Sequence, residues 1–328
     1  MKTRWSPRTW VGFLVSAAAL AAVLALADVH TLVQALRRLP PLTLTAAVVL
    51  LAASIGLRAL AWRLLLGGRA SWSAAFWALN AGYLVNNLIP LRAGEAARAL
   101  LIAPRARVSF WHALSTVMVE RLMDVVLLAG MLLAAIPWVL DLPQAHHASL
   151  TLGGLAIAVL FVLALLAAFR VPLGRILETR LTPRGGRRTR RLLGWAQHFL
   201  DGLEVLAHPL RFLVLLGLMT VSWLVQVVAY GLALQVLVPQ ANLWWATFVL
   251  GSVGMGVAVP SAPGGLGVME GVMVFVLHAL GVDPSVALAY ALAMHAVYYL
   301  VTVSLGMAGL SVYGASLPQI VQQTVRPR

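Results

Sequence analysis

Residues 74–103 read AAFWALNAGYLVNNLIPLRAGEAARALLIA, and residues 243–280 read LWWATFVLGSVGMGVAVPSAPGGLGVMEGVMVFVLHAL. Both are apolar enough for a membrane, yet neither reads as one helix. The first is broken at Asn86-Asn87-Leu88-Ile89-Pro90-Leu91-Arg92-Ala93-Gly94, the second at Pro260-Ser261-Ala262-Pro263-Gly264-Gly265-Leu266-Gly267. Proline removes a backbone donor and clashes with the preceding turn, and glycine adopts turns that other residues resist. Each half holds roughly 14–17 residues, short of the about 20 that cross a bilayer core. Lipid tails offer no hydrogen bonds, so irregular backbone at that depth must lie inside protein or beside a polar cavity. Two re-entrant helical hairpins are the economical reading.

Working outward, 61% of the 328 residues are hydrophobic and 10% are charged, against about 25% charged in a soluble domain. Uninterrupted apolar runs occupy about 10–27, 42–66, 110–136, 148–170, 210–237 and 284–312. The expected fold is an all-α polytopic membrane protein with about six full spans plus two re-entrant hairpins, eight apolar segments in all. It forms a single transmembrane domain over 1–328. Little length remains for a soluble catalytic domain. The run from Trp10 to Ala27 is longer than the about 7–15 residues of a signal-peptide core, which favours a retained first span. With no cysteine, disulfides, thiolate catalysis and cysteine-held metals are excluded.

The net charge is +14, and Lys2 is the sole lysine among 24 basic residues. The arginines fall in short loops, which fits topology control and anionic lipid headgroups rather than nucleic acid. Lys2, Arg4 and Arg8 hold the N-terminus inside; Arg63, Arg69, Arg105 and Arg107 follow on the same side. A basic loop at 171–209 carries Arg175, Arg180, Arg184, Arg187, Arg188, Arg190 and Arg191, with an amphipathic helix or a solvated topogenic loop from Arg187 to Leu206. Residues 212–325 contain no lysine or arginine, the tail ends with Arg326 and Arg328, and only Arg37 and Arg38 fall in an outside loop. The expectation is a multi-pass protein of the plasma (inner) membrane with both termini cytoplasmic. That count inverts the halves at about 42–136 and 210–312, with Pro90-x-x-x-Gly94 aligned to Pro263-x-x-x-Gly267. Interrupted segments at matching places in two halves point to a transporter site near the midplane.

The residues able to carry chemistry gather there. Glu120, Arg121 and Asp124 lie ten to fourteen residues beyond Phe110, about 15–21 Å deep at 1.5 Å per residue. A charge at the bilayer centre costs roughly 2.5–3.5 kcal/mol on insertion scales. Glu120 and Asp124 share a helical face while Arg121 points to the side, so Arg121 and a second cation, Arg98 or Arg92, are the expected partners. At the first break Asn87, Arg92, Glu95 and Arg98 surround a helix restarting near Ala93, whose N-terminal N–H groups favour phosphate. At the second, Gly264 and Gly265 permit close approach of a ligand, with Glu270 just inside the next helix and His295 on the last span. Competing structural readings are an ion-pair network that fixes packing, a capping Glu95, snorkelling arginines and a packing histidine. His146-His147 lack a third ligand, so no metal is expected, and no cofactor motif is present. Trp244-Trp245 fit an interfacial aromatic belt.

The motifs Asn87-Leu88-Ile89-Pro90-x-x-x-Gly94-Glu95-x-x-Arg98, Glu120-Arg121-x-x-Asp124 and Pro260-x-x-Pro263-Gly264-Gly265-x-Gly267-x-x-Glu270 closely resemble the lysylphosphatidylglycerol synthase transmembrane family, also called flippase-like or UPF0104. The resemblance covers about 10–312. It implies a membrane domain with inverted re-entrant hairpins, which in multiple peptide resistance factors moves aminoacylated phosphatidylglycerol between leaflets. The C-terminal synthase domain of those bifunctional proteins is not expected here. The function so implied is lipid translocation without enzymatic chemistry. The substrate is an anionic or modified (glyco)phospholipid, with a homo-oligomer and a lipid-modifying enzyme as candidate partners. The alternatives are a membrane transferase acting on lipid-linked substrates and a non-catalytic assembly partner.

Overall fold

The computed structural model describes residues 7–89, 93–139, 158–162, 165–181, 202–256 and 261–317, with 151, 154, 193–194, 196–197, 200 and 319. Pro90, Arg92, the His146-His147 pair, Arg184 to Arg191, Pro260, Arg326 and Arg328 lie outside them. Everything described is helix or connection. In chain order the helices are α1 (Pro7–Leu26), α2 (Val29–Arg38), α3 (Pro41–Leu65), α4 (Trp72–Leu88), α5 (Gly94–Ala106), α6 (Phe110–Val139), α7 (Arg170–Leu181), α8 (Pro209–Leu237), α9 (Leu243–Gly256), α10 (Val268–Ala279) and α11 (Pro284–Tyr313). Four of these, α3, α6, α8 and α11, are long and apolar enough to cross a membrane. The number rises to six if each of two bent pairs counts as one span.

The boundaries follow from local chemistry. Pro41, Pro209 and Pro284 open their helices where the missing N–H costs nothing. Ser71 caps α4 by accepting from Ala74 N, and Asp283 caps α11 by accepting from Ser285 N and Val286 N. Residues 28–40, expected as an outside loop, instead contain α2. Asp28 caps it by accepting from Thr31 N at 2.7 Å, and α2 turns 93° away from α1. Ala35 packs inward while Val29, Val33 and Leu36 stay exposed, so α2 is amphipathic and lies across the end of the bundle against α11. The polar loop expected from residue 171 begins as helix α7, which meets the stretch Ala158–Ala168 at 66°.

Packing is organised crosswise. α3 runs along α8, joined by Ser222 Oγ donating to the Ser54 carbonyl at 3.1 Å. Hairpin α4–α5 leans on α11, and hairpin α9–α10 leans on α6. Glycines make both crossings close. A Cβ on Gly306 of α11 would stand 2.5 Å from Leu84 of α4, and one on Gly254 of α9 would stand 2.6 Å from Leu128 of α6. Small residues at such contacts let helix backbones approach where lipid gives no hydrophobic drive. Large apolar side chains such as Val49, Leu213, Leu224 and Phe275 point outward, as a lipid-facing surface requires.

Candidate functional site: a charged cavity between two helix breaks

Glu120 and Asp124 stand one turn apart on α6, 1% and 4% exposed. Three guanidiniums reach them. Arg98 of α5 donates to Glu120 Oε2 at 3.0 Å, and Arg121 donates to Glu120 Oε1 at 2.9 Å. Arg121 also lies 3.3 Å from Asp124 Oδ2. Arg58 of α3 donates to Asp124 Oδ2 and stands 3.5 Å from Glu120. Trp223 of α8 donates its indole N–H to Asp124 Oδ1 at 3.0 Å. Two aromatic faces complete the shell: Arg58 lies 5.1 Å from the Trp223 ring centre, Arg98 4.8 Å from that of Trp62. Three arginines meet two carboxylates directly, and Glu95, on the wall of the adjoining cavity, supplies a third negative charge near Arg121. Arg58 Nη1, Arg98 Nη2 and Arg121 Nε are buried with no hydrogen-bond partner among the described residues.

A cavity of about 680 Å³ opens beside this cluster, within the range of ligand sites. Arg58, Arg121 and Asp124 stand on its wall, with Trp223 and Gln226 of α8 alongside. Leu51, Val125 and Leu250 form an apolar side. Both helix breaks reach it: Tyr83, Asn87 and Glu95 from the first, and Ser261 through Gly265 from the second.

At the first break Asn86 Oδ1 accepts from Gly94 N at 2.8 Å, capping α5 from the end of α4. A Cβ on Gly94 would collide with the Gly82 carbonyl and come within 2.6 Å of Asn86 Oδ1, so only glycine allows the hairpin to close. Asn87 donates to Thr302 Oγ1 of α11 at 2.8 Å. Glu95, in the first turn of α5, keeps Oε2 buried and unpartnered. At the second break Gly264, Gly265 and Gly267 have φ of 70°, 77° and 81°, the left-handed region where other residues are strained. Glu270 Oε2 accepts from Gly267 N at 2.7 Å, and its Oε1 meets His295 Nδ1.

Of the residues singled out in the sequence, Arg98, Glu120, Arg121 and Asp124 come together in one cluster, and Asn87, Glu95, Gly264 and Gly265 stand on the adjoining cavity. Arg121 does not point aside: its side chain folds along α6 and bonds to both carboxylates. Arg98 serves Glu120 from behind the cavity wall. Glu270 and His295 form a separate pair behind the second break, and Arg92 lies outside the described residues. Arg58 and Trp223 were missed. The available signal was an arginine well inside an otherwise apolar run, seven residues from the end of α3.

The sequence model described as Lysylphosphatidylglycerol synthase TM region matches residues 9–306, which include every residue of the cluster and the cavity. A "UPF0104 membrane protein" of Methanothermobacter thermautotrophicus is 25% identical, the alignment covering 93% of this chain and 96% of that protein.

Proposed function

The chain belongs to the lysylphosphatidylglycerol synthase TM region family, and we propose that it moves an anionic or modified polar lipid between membrane leaflets. The observation that carries this reading is the cavity bounded by both helix breaks, with Arg58 and Arg121 on its wall, each keeping a buried guanidinium nitrogen that has no partner among the described residues. A buried donor without an acceptor is costly. A phosphodiester entering the cavity would offer acceptors to Arg58 Nη1 and Arg121 Nε, which have none among the described residues. The apolar side of the same cavity would accept the start of the acyl chains. No chemical step is assigned to the carboxylates, whose role is to hold the arginines in place.

In this reading α3–α6 and α8–α11 are inverted copies. The reciprocal packing of each hairpin on the other copy's long helix supports it. So does a matched pair of buried links. Arg98, four residues past Gly94, bonds to Glu120 on α6, and Glu270, three residues past Gly267, bonds to His295 on α11. Alternating access would then be a rocking of one hairpin pair against the other around a fixed site. The positive-inside pattern of the sequence supports a cytoplasmic position for both termini at the plasma membrane.

Reconstitution tests the reading. Vesicles containing the purified protein should expose a fluorescent anionic phospholipid to an external quencher faster than empty vesicles do. Arg121→Gln should slow that exposure at least tenfold. Equal rates in protein-containing and empty vesicles across anionic, zwitterionic and glycosylated lipids would overturn it.

A further inference from the structure

The two buried links differ in one respect. The first pairs carboxylates with arginines, which keep their charge at any accessible pH. The second pairs Glu270 with His295, 3% and 4% exposed. Residues 212–325 contain no lysine or arginine, so the proton shared by this pair is the only cation that this stretch supplies to Glu270. The helices packed on α10 and α11 carry Arg8 on α1, His30, Arg37 and Arg38 on α2, Arg58 and Arg63 on α3, Tyr83 on α4, and Arg211 and Tyr230 on α8; α9 carries no titratable group. Of those whose side chains are described, none bonds to either member of the pair. On α10 itself, His278 turns to the Val282 carbonyl, and on α11 Tyr290 donates to the Tyr230 carbonyl. The groups that meet the pair are Tyr299, whose ring centre is 4.9 Å from that of His295, and Tyr298 at 6.5 Å. His295 Nε2 is buried with no hydrogen-bond partner among the described residues.

The pair is also tied to the cavity wall. Glu270 Oε2 holds Gly267 N, the last residue of the glycine turn. Tyr299 donates to the Pro263 carbonyl at 3.4 Å, and its hydroxyl fills the space a Cβ on Gly264 would need. Pro263, Gly264, Gly265, Met269 and Tyr298 all stand on the cavity. Both members of the pair are therefore one residue or one contact away from it.

We propose that Glu270 and His295 form a proton-binding site, and that loss of its proton loosens the Pro263–Gly267 turn that walls the cavity. With one proton the pair is neutral, as imidazolium and carboxylate or as imidazole and carboxylic acid. Releasing that proton to water through the cavity leaves a buried negative charge with no arginine or lysine bonded to it among the described residues, a state relieved by moving Glu270 away from Gly267 N and toward the cavity. This deepens the transport reading by naming the ion that couples to the moving hairpin, and it rests on that reading only for its consequence in transport.

Because the chain has no cysteine, a single introduced thiol reports the turn without lipid transport. Ser261→Cys lies on the cavity and Gln240→Cys in an exposed loop. The labelling rate of Ser261→Cys with a maleimide, relative to Gln240→Cys, should rise several-fold from about pH 5.5 to about pH 8.5. His295→Gln and Glu270→Gln backgrounds share the thiol chemistry and should lack the extra rise. Identical pH profiles in all three backgrounds would overturn the proposal. If both variants aggregate, a pH-independent ratio with the native pair overturns it. A pH-dependent turn in a protein that moves no lipid would refute the transport reading alone, and transport through a turn indifferent to pH would refute the proton site alone.

Discussion

Glu120→Gln removes one charge and changes little else in shape, which makes it a clean perturbation of the cluster. Glu120 receives Arg121 at 2.9 Å and Arg98 at 3.0 Å, with Arg58 at 3.5 Å. Charge-assisted bonds contribute about 1.5–3 kcal/mol each, and the amide oxygen of glutamine keeps an arginine bond but loses the ion-pair attraction. Among the groups bonded in the cluster, the three arginines would then face Asp124 alone, with one negative charge fewer than before. Removing one partner of a buried pair costs about 3–5 kcal/mol, and the retained amide bond puts the expected loss near 3 kcal/mol. Adding Arg98→Met removes one positive charge as well and restores the net charge of the native cluster. The double variant should therefore be more stable than the sum of the single losses predicts, by about 1–3 kcal/mol. Reversible unfolding in bicelles, with both single variants and the double, measures each term. A loss below about 1 kcal/mol, the size typical of an exposed ion pair, or strict additivity, would refute the buried-network account.

Gly94→Ala should prevent closure of the first hairpin, because its methyl would collide with the Gly82 carbonyl. Gly217→Ala on α8, with nothing within 4 Å of the added methyl, should leave the thermal midpoint unchanged or higher. Gly264→Ala should destabilise by about 1–3 kcal/mol from overpacking on Tyr299 and add left-handed strain at φ 70°. In a Tyr299→Phe background the unfolding midpoint should recover in part, since the hydroxyl is the nearest clash. Asn87→Leu should cost only about 1 kcal/mol, because Thr302 keeps its own bond to the Tyr298 carbonyl at 2.7 Å; a loss of several kcal/mol in the same assay would assign Asn87 a larger role.

Much of the architecture was legible in the chain because lipid permits few solutions. Apolar length located α3, α6, α8 and α11 to within a few residues, and proline with glycine located both breaks. α2 was not legible: ten residues with two terminal arginines look like a loop until Asp28 is seen capping them. The cluster was half legible. Depth along α6 marked Glu120 and Asp124 as costly, and Arg98 was found by its place in the restarted helix. Arg58 was hidden for a physical reason. It sits seven residues from the end of α3, about 10 Å at 1.5 Å per residue, close enough for an arginine to snorkel to the surface. Only the packing of α3 against α6 and α8 turns it inward onto Asp124. Arg121 is a partner, as expected; what its position on the helix did not reveal is that its own flexible stem folds back to reach both carboxylates. The Glu270–His295 bond depends on how α10 lies against α11, which spacing along the chain does not encode.

The claim that a lipid headgroup passes beside the arginine cluster is tested most directly by locating that headgroup. An anionic phospholipid bearing a photoreactive group on its head would be incorporated in vesicles with the protein, illuminated, and the adducts mapped by mass spectrometry. Adducts on Tyr83, Trp223 and Tyr298, competed by unlabelled lipid and lost in Arg121→Gln, are the predicted result. Adducts confined to the stacked Trp138 and Trp244 and other residues at the helix ends, with the cavity unlabelled, would contradict it.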